Sequence, residues 1–152
     1  MAGVTRAILA RNIVQTVKTT AFSTASTSFV DVTGLSVAIT PRRTNSRVLV
    51  TVSIYTGSTS VALNTFNLVR DSTNLAQPAA DTYSGSMNAS IPGVSSFDET
   101  VSLTFLDSPA TVAATTYKIQ MKVSGGTGHV CRRADLSSVS AASIITAEEV
   151  LA

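Results

Sequence analysis

The chain is poor in the residues from which most enzyme and metal sites are built. It has one histidine, His129, one cysteine, Cys131, and no tryptophan among its 152 residues. A single cysteine cannot form an intrachain disulfide, so the fold does not depend on one. A serine–histidine–acid triad would rest on His129 alone, and no nucleophile-elbow motif accompanies it. We therefore expect no enzymatic activity and no cofactor.

His129 and Cys131 have a spacing that could serve a metal ion. On a strand the two side chains would share a face and could supply two zinc ligands, but the chain has no second pair. A metal shared by three copies of His129 around a symmetry axis is a further option. The favoured interpretation is an ordinary histidine in a strand or loop beside Gly128, and we expect no metal site.

Charge is also sparse. Charged residues make up 13% of the chain, the net charge is +2, and the basic doublets are Arg42-Arg43 and Arg132-Arg133. A nucleic-acid-binding surface needs a concentrated basic footprint, so no nucleic-acid partner is expected. No segment approaches the roughly 18 apolar residues that span a bilayer, and the apolar run near the start is shorter than the roughly 7–15 residues of a signal peptide core. We expect no membrane insertion.

Serine and threonine are abundant instead, at a little over a quarter of the chain. Threonine favours strands because its β-branch fits a pleated surface. Apolar and polar residues alternate with a period of two in several segments, which is typical of strands with one buried face. The clearest segments are 35–40, 48–54, 101–105 and 117–123, and the weaker candidates are 12–18, 27–33, 60–70, 82–90, 128–133 and 142–150.

Turn signals separate these segments, among them Thr33-Gly34 and the residues 55–59 around Gly57. Residues 76–96 are rich in Ala, Ser and Gly and predict a long loop or weak hairpin, a common place for partner contacts. Together these features predict an all-β protein, a single antiparallel β-sandwich of jelly-roll-like type over 13–152. Residues 1–12 are predicted to form a short N-terminal arm, either a frayed terminus or an attachment segment.

Some side chains stand out as candidates for contacts. Leu49 and Leu63 are apolar where the alternation expects polar residues, which indicates either an oligomer interface or cover by a long loop. Tyr55 and Tyr83 fall in predicted loops and are candidate platforms for a carbohydrate. The other surface-binding candidates are Arg132 and Arg133, and the attachment candidates in the arm are Arg6, Ile8, Leu9 and Arg11.

Four groups of residues resemble a module of bacteriophage tail-fibre and virion-surface proteins. The first contains Ser-Phe-Val-Asp-Val-Thr-Gly-Leu-Ser-Val-Ala-Ile-Thr-Pro and Asn-Ser-Arg-Val-Leu-Val, within 28–50. The second, over 68–75, is Leu-Val-Arg-Asp-Ser-Thr-Asn-Leu, and the third, over 105–120, contains Leu-Asp-Ser-Pro-Ala-Thr and Thr-Thr-Tyr-Lys-Ile-Gln. The fourth is the closing strand at 144–150. The resemblance covers about 13–150, with departures at Arg42-Arg43 and at 131–133.

This resemblance implies a compact jelly-roll-like sandwich that forms a homotrimer on a virus particle assembled in the host cytoplasm. The implied partners are other virion proteins, of capsid or tail, and a glycan or protein of the host surface. The implied role is a fibre or spike component anchored by the arm. One alternative is a capsid decoration (cement) protein that stabilises the head, and another is a free lectin or C1q/TNF-like binding module.

Overall fold

The described part of the chain is built from β-strands alone. The computed structural model describes residues 11–59, 62–79, 81–91 and 98–151, and within them no helix is present that could cross a membrane. The strands are β1 (Ile13–Lys18), β2 (Phe22–Thr24), β3 (Val30–Ile39), β4 (Arg47–Ser58), β5 (Ala62–Arg70), β6 (Thr73–Leu75), β7 (Met87–Ile91), β8 (Asp98–Asp107), β9 (Thr115–Val123), β10 (Gly128–Val130) and β11 (Ser143–Val150).

The alternating segments form strands whose apolar face is buried, as predicted. The inward-facing side chains of β4 and β9 are completely buried: Val48, Val50, Val52, Ile54, Tyr117, Ile119 and Met121. Burial of an aliphatic or aromatic side chain of this size stabilises the fold by about 1.5–3 kcal/mol relative to its exposure. The alternation therefore determines which face of each strand points into the protein.

Two antiparallel sheets enclose this core. The four long strands of sheet A lie in the order β1-β11-β4-β8, and those of sheet B in the order β3-β9-β5-β7. Short strands extend both sheets. In sheet A, β10 pairs with β4 beyond the end of β11, and β2 pairs with β10. In sheet B, β6 pairs with β5 beside β7. Phe66 and Leu68 of sheet B and Ile145 of sheet A are among the fully buried side chains between the two sheets.

The pairing of the eight long strands is nested. Counted along the chain, the first pairs with the eighth, the second with the seventh, the third with the sixth and the fourth with the fifth. A long antiparallel hairpin that rolls up in this way gives the two-sheet jelly roll. The predicted all-β sandwich of jelly-roll-like type is confirmed.

The predicted turn at Thr33-Gly34 is wrong, because both residues lie inside β3. The register between β3 and β9 shifts between Asp31 and Ser36, and Gly34 has a φ of 81°. Such a shift marks a β-bulge, in which a glycine accommodates a positive φ without steric cost. The two predicted segments 27–33 and 35–40 therefore contribute to one bent strand.

The predicted turn around Gly57 is also wrong. Strand β4 continues to Ser58, because Gly57 pairs with Asp98 of β8 on one side and with His129 of β10 on the other. Hydrogen bonding on both edges outweighs the local turn preference of glycine. As a result β4 extends for about 36 Å at the usual rise per residue. We use it to name the Arg47 end and the Ser58 end of the sandwich.

The segment 76–96 is only partly a loop. Its described residues include strand β7, and the residues 76–79 and 81–86, here called the cover loop, lie on the outer side of β5. Ser86 Oγ accepts a hydrogen bond from the Leu68 N–H at 3.0 Å and donates one to the Leu75 carbonyl at 2.6 Å. Gly85 allows this close approach, since a Cβ there would lie 2.4 Å from Thr65 Cγ2.

Candidate functional site

The outer face of sheet A carries pairs of neighbouring apolar side chains. We call the outward-facing residues of β1, β11, β4 and β8 outer face A. Leu49 pairs with Leu106 across β4 and β8, and Val17 pairs with Ile144 across β1 and β11. Val17 and Leu106 are 50% and 41% exposed, and Leu49 and Ile144 are half-buried. These apolar side chains are thus in contact with solvent in the single chain.

The centre of outer face A is uncharged. A row of Gln15, Thr146, Thr51 and Thr104 crosses the sheet between the two apolar pairs, and Gln15 Nε2 donates a hydrogen bond to Thr146 Oγ1 at 2.9 Å. An ion pair lies next to this region, at the Arg47 end, where Arg11 Nη2 is 2.8 Å from Glu148 Oε1. The face therefore combines low charge with exposed apolar surface.

Sequence reasoning identified Leu49 on this face and missed Val17, Leu106 and Ile144. Two of the missed residues belong to apolar doublets, Phe105-Leu106 and Ile144-Ile145. On a strand, consecutive side chains point to opposite faces, so one member of an apolar doublet must face outward. That signal was available in the sequence.

The outer face of sheet B has a different character. Lys118 Nζ and Gln120 Nε2 each donate a hydrogen bond to the carboxylate of Asp31 at 2.8 Å. These two hydrogen bonds hold the pKa of Asp31 below its ordinary value. The cover loop buries part of the same face, including the outward-facing Thr65 and Asn67. This side of the sandwich is charged where it is open and covered elsewhere.

Leu63 lies on this second face and not with Leu49. It is half-buried on β5, and its N–H donates a hydrogen bond to Ser124 Oγ at 2.8 Å. Because Leu49 and Leu63 belong to opposite sheets, one flat contact cannot include both. Both residues remain interface predictions.

Tyr55 lies in β4 and not in the predicted loop. Its hydroxyl donates a hydrogen bond to Asp98 Oδ2 at 2.6 Å. Burial and this hydrogen bond raise the pKa of Tyr55 to about 12. The ring is half-buried and its hydroxyl already has a partner, so its role as a binding platform stays a prediction.

Arg132 and Arg133 lie in the loop between β10 and β11. Arg132 donates hydrogen bonds to the carbonyls of Arg133 and Ala134, at 3.1 and 3.2 Å. Arg133 Nε donates to Asp135 Oδ1 at 2.7 Å. Both guanidinium groups thus bind their own loop, and contact with a partner stays a prediction.

His129 is buried, with 6% of its surface exposed, and neither ring nitrogen has a hydrogen-bond partner among the described residues. Burial, together with the nearby charge of Arg132, lowers its pKa. Cys131 has a φ of 63°, which interrupts the alternation after β10, and its thiol donates to the Lys18 carbonyl at 3.2 Å. Within the described ranges, no three His, Cys, Asp or Glu side chains form a group that could hold a metal ion.

The last residue of the predicted arm, Asn12, is held at the Arg47 end by Glu149. Asn12 Nδ2 donates hydrogen bonds to Glu149 Oε2 and to the Thr40 carbonyl, both at 2.9 Å, and the Arg42 N–H donates to Glu149 Oε1 at 2.6 Å. A cleft of about 240 Å³ opens beside Arg11 at this corner. The attachment candidates Arg6, Ile8 and Leu9 lie outside the described residues.

Tyr83 is the most exposed of the candidate platforms, at 48%. It stands in the cover loop beside a cleft of about 140 Å³, which is lined by Thr27, Thr82, Tyr83, Lys122, Val123 and Ser124. The cleft lies near the Ser58 end, because Val123 pairs with Asn64 at the start of β5 and Asn64 Nδ2 donates to the Gly57 carbonyl. The structure thus separates Tyr83 from Arg11 and Asn12 by most of the length of the sandwich.

The chain matches no protein-family model and no curated protein. Among solved structures it is similar to that of the Gt strain of infectious bursal disease virus, with 10% identity, a TM-score of 0.47 and coverage of 93% of this chain and 38% of that chain. For the structure of the Gx strain of the same virus, the identity is 13% and the TM-score 0.45, with coverage of 94% of this chain and 38% of that chain. For the enzymatically active domain of tailspike protein 4 from bacteriophage CBA120, the identity is 11% and the TM-score 0.31, with coverage of 78% of this chain and 18% of that chain.

The chain spans less than two fifths of the length of each of these viral chains. The likeness to them is coarse, since each TM-score lies below 0.5.

Proposed function

We propose that the protein is a non-enzymatic structural subunit of a bacteriophage particle, a homotrimeric surface component of fibre or spike type. Residues 1–12 anchor it to other virion proteins, and its Ser58 end faces the host. Outer face A is the observation that carries the assembly part of this proposal. The assignment to a virion is supported by the four motifs that resemble the phage module.

Outer face A has the composition of a subunit contact. The centres of protein interfaces are depleted in charged residues, because a charge that loses water must find a partner. The row between its two apolar pairs presents hydroxyl and amide groups, and Glu148, which lies opposite Leu49, already has Arg11 as its partner. Burial of Leu106 and Val17 would contribute roughly 25 cal/mol per Å² of apolar surface. Most oligomers of soluble proteins are symmetric assemblies of one chain, which favours a second copy as the occupant.

The two ends of the sandwich have separate tasks in this proposal. Arg11 and Asn12 lead into β1 at the Arg47 end, where Glu148 binds Arg11 and Glu149 binds Asn12. The Tyr83 cleft lies towards the opposite end. An anchored subunit would therefore present the cleft away from the particle.

The mass of the purified chain in solution tests the trimer. We expect three times the chain mass of 15.7 kDa by light scattering after size exclusion. The double variant Val17→Lys/Leu106→Lys should be monomeric, because each subunit contact would then bury ammonium groups at positions whose cross-strand partners are apolar. The control Ser36→Lys/Ala38→Lys places two lysines on exposed positions of sheet B and should stay trimeric. A monomeric wild type refutes the trimer, and a trimeric double variant refutes this face.

Immunogold labelling of purified virus particles tests the location. Gold at the tail or at isolated spikes supports the proposed role. Labelling spread over the capsid shell would instead indicate a decoration protein. A chain that never joins a particle refutes both roles and favours a free binding module.

A further inference from the structure

We infer that the cleft beside Tyr83 binds one acidic sugar residue of a surface glycan. This inference deepens the proposed function, since it names the class of host molecule that the distal end would contact. It depends on the shape of the cleft, on its hydrogen-bonding groups and on one lysine.

The turn that carries Tyr83 is held in place before any ligand arrives. The Ser84 N–H donates to the Asp81 carbonyl at 3.1 Å, and the Asp81 N–H donates to Ser84 Oγ at 3.1 Å. The Thr82 N–H donates to Asp81 Oδ1 at 2.6 Å. Lys122 Nζ then fastens the turn to β9 by donating to the Thr82 carbonyl at 2.8 Å. An exposed ring on such a turn loses little conformational freedom on binding.

The opposite wall of the cleft is equally well supported. The Val123 N–H donates to the Ser26 carbonyl at 2.9 Å, which ties the segment that contains Thr27 to the end of β9. Ser124 Oγ accepts the Leu63 N–H, so its own hydroxyl proton is available to a ligand. Thr27 and Thr82 add two further hydroxyl groups to the lining.

These groups match the chemistry of a sugar. A pyranose ring has an apolar face that can pack on a tyrosine ring, and its hydroxyls need partners that both donate and accept. The volume of about 140 Å³ is well below the roughly 300 Å³ at which pockets for drug-sized ligands begin. The cleft therefore fits a single sugar unit, with the rest of the glycan outside.

Lys122 selects for an acidic sugar. Its ammonium group lies 4.6 Å from the centre of the Phe29 ring and donates to the Thr82 carbonyl, and it forms no ion pair with a described carboxylate. An ammonium group has three N–H donors, so donor capacity remains, and Lys122 is the charged residue among those that line the cleft. Lys118, on the same face of β9, differs because it is paired with Asp31. A carboxylate on the sugar would supply the partner that Lys122 lacks.

Saturation-transfer NMR with the full chain tests the inference, with glucuronic acid and N-acetylneuraminic acid as probes and glucose as the neutral reference. We expect transfer to at least one acidic sugar and little to glucose. Tyr83→Ala should weaken binding about tenfold, as loss of one aromatic contact predicts, and Tyr83→Phe should retain it. Lys122→Gln should remove the preference for the acidic sugar, and the matched control Lys118→Gln should leave it unchanged.

Absence of transfer to both acidic sugars, or equal binding by Tyr83→Ala and Tyr83→Phe in folded protein, overturns the inference. Equal effects of Lys122→Gln and Lys118→Gln overturn the role of Lys122. These results are separable from the proposed function. A trimer that joins particles without binding the sugars leaves the virion role intact, and a sugar-binding chain that never joins a particle refutes the virion role alone.

Discussion

Asp107 of sheet A is hydrogen-bonded to Tyr117 of sheet B. Tyr117 Oη donates to Asp107 Oδ2 at 2.7 Å, and Arg70 Nη1 donates to both oxygens of the same carboxylate at 2.9 and 2.8 Å. Tyr117 is completely buried and Asp107 nearly so. Burial, together with the hydrogen bond to Asp107, raises the pKa of Tyr117. This cluster joins the two layers of the sandwich through polar groups.

Asp107→Ala should lower the free energy of unfolding by about 3 kcal/mol, because it leaves a partly buried guanidinium and a completely buried hydroxyl without their acceptor. Tyr117→Phe should cost about 1.5 kcal/mol. Urea denaturation measures both. The control is Asp31→Ala, which breaks an exposed pair with Lys118 and should cost less than about 1 kcal/mol. A similar cost for Asp107→Ala and Asp31→Ala would contradict the importance of the cluster.

Glu149 should make the protein sensitive to acid. Burial opposes its ionisation, but the hydrogen bonds from Asn12 and from the Arg42 N–H outweigh that effect and lower its pKa below 4.5. The unfolded chain then takes up the proton more readily than the folded one. The stabilisation is present above pH 4.5 and is lost as the pH falls through the folded pKa.

Urea denaturation between pH 3 and pH 7 checks this expectation. Glu149→Gln should cost about 2 kcal/mol near neutral pH and flatten the acid limb of the stability curve. The neighbouring control, Glu148→Gln, removes only the pair with the exposed Arg11 and should cost under about 1 kcal/mol. An unchanged acid limb in Glu149→Gln would show that another group causes the loss.

Removal of residues 1–10 should leave the sandwich folded and abolish incorporation into particles. Removal of residues 1–12 should also lower the melting temperature by about 4–8 °C, because Asn12 binds both Glu149 and the Thr40 carbonyl. Thermal denaturation and labelling of particles measure the two effects. The shorter deletion separates attachment from stability, and particles that still contain it would refute the attachment role of the arm.

Substitution by alanine at two glycines near the Ser58 end should change the free energy of unfolding differently. A Cβ at Gly128 would lie 2.3 Å from Met121 Cε and 2.6 Å from Val123 Cγ1, so Gly128→Ala should cost about 2 kcal/mol. A Cβ at Gly125 would meet nothing within 4 Å, and Gly125→Ala should be neutral or stabilise by about 0.5 kcal/mol. Chemical denaturation of both variants decides this, and equal stabilities would be inconsistent with the tight packing at Gly128.

The alternation of apolar and polar residues predicted the strands well. The sequence prediction failed where hydrogen bonding between strands outweighed the local turn preference of a residue. Alternation placed β4 and β9 and their buried faces correctly, because it depends on the side-chain period of a single strand. It contains no information about neighbours, so the order of the strands had to come from the structure. Gly57 illustrates this limit. A glycine in the sequence predicts a turn, but pairing with β8 on one edge and β10 on the other keeps Gly57 in β4.

The candidate sites were predictable to a smaller extent. Tyr83 was named as a candidate because an aromatic residue in a predicted loop is visible in the sequence, and its role in binding stays a prediction. Lys122 was missed, since its lack of a carboxylate partner appears only when β9 is placed beside the cover loop and apart from Asp31. The Asp107 cluster was missed for the same reason, because Arg70 reaches Asp107 only through the packing of one sheet on the other.

The nested pairing of the strands also governs when a chain becomes able to fold. Strands β5 and β7 meet early during synthesis, but β11, the last of the described strands along the chain, lies between β1 and β4 and pairs Glu148 with Ile13. Such distant pairings fold slowly and only after most of the chain has left the ribosome. A chain that stops before Ser143 keeps the facing edges of β1 and β4 open, and open strand edges promote aggregation. The topology therefore makes folding depend on β11, because a chain truncated before this strand leaves sheet A incomplete.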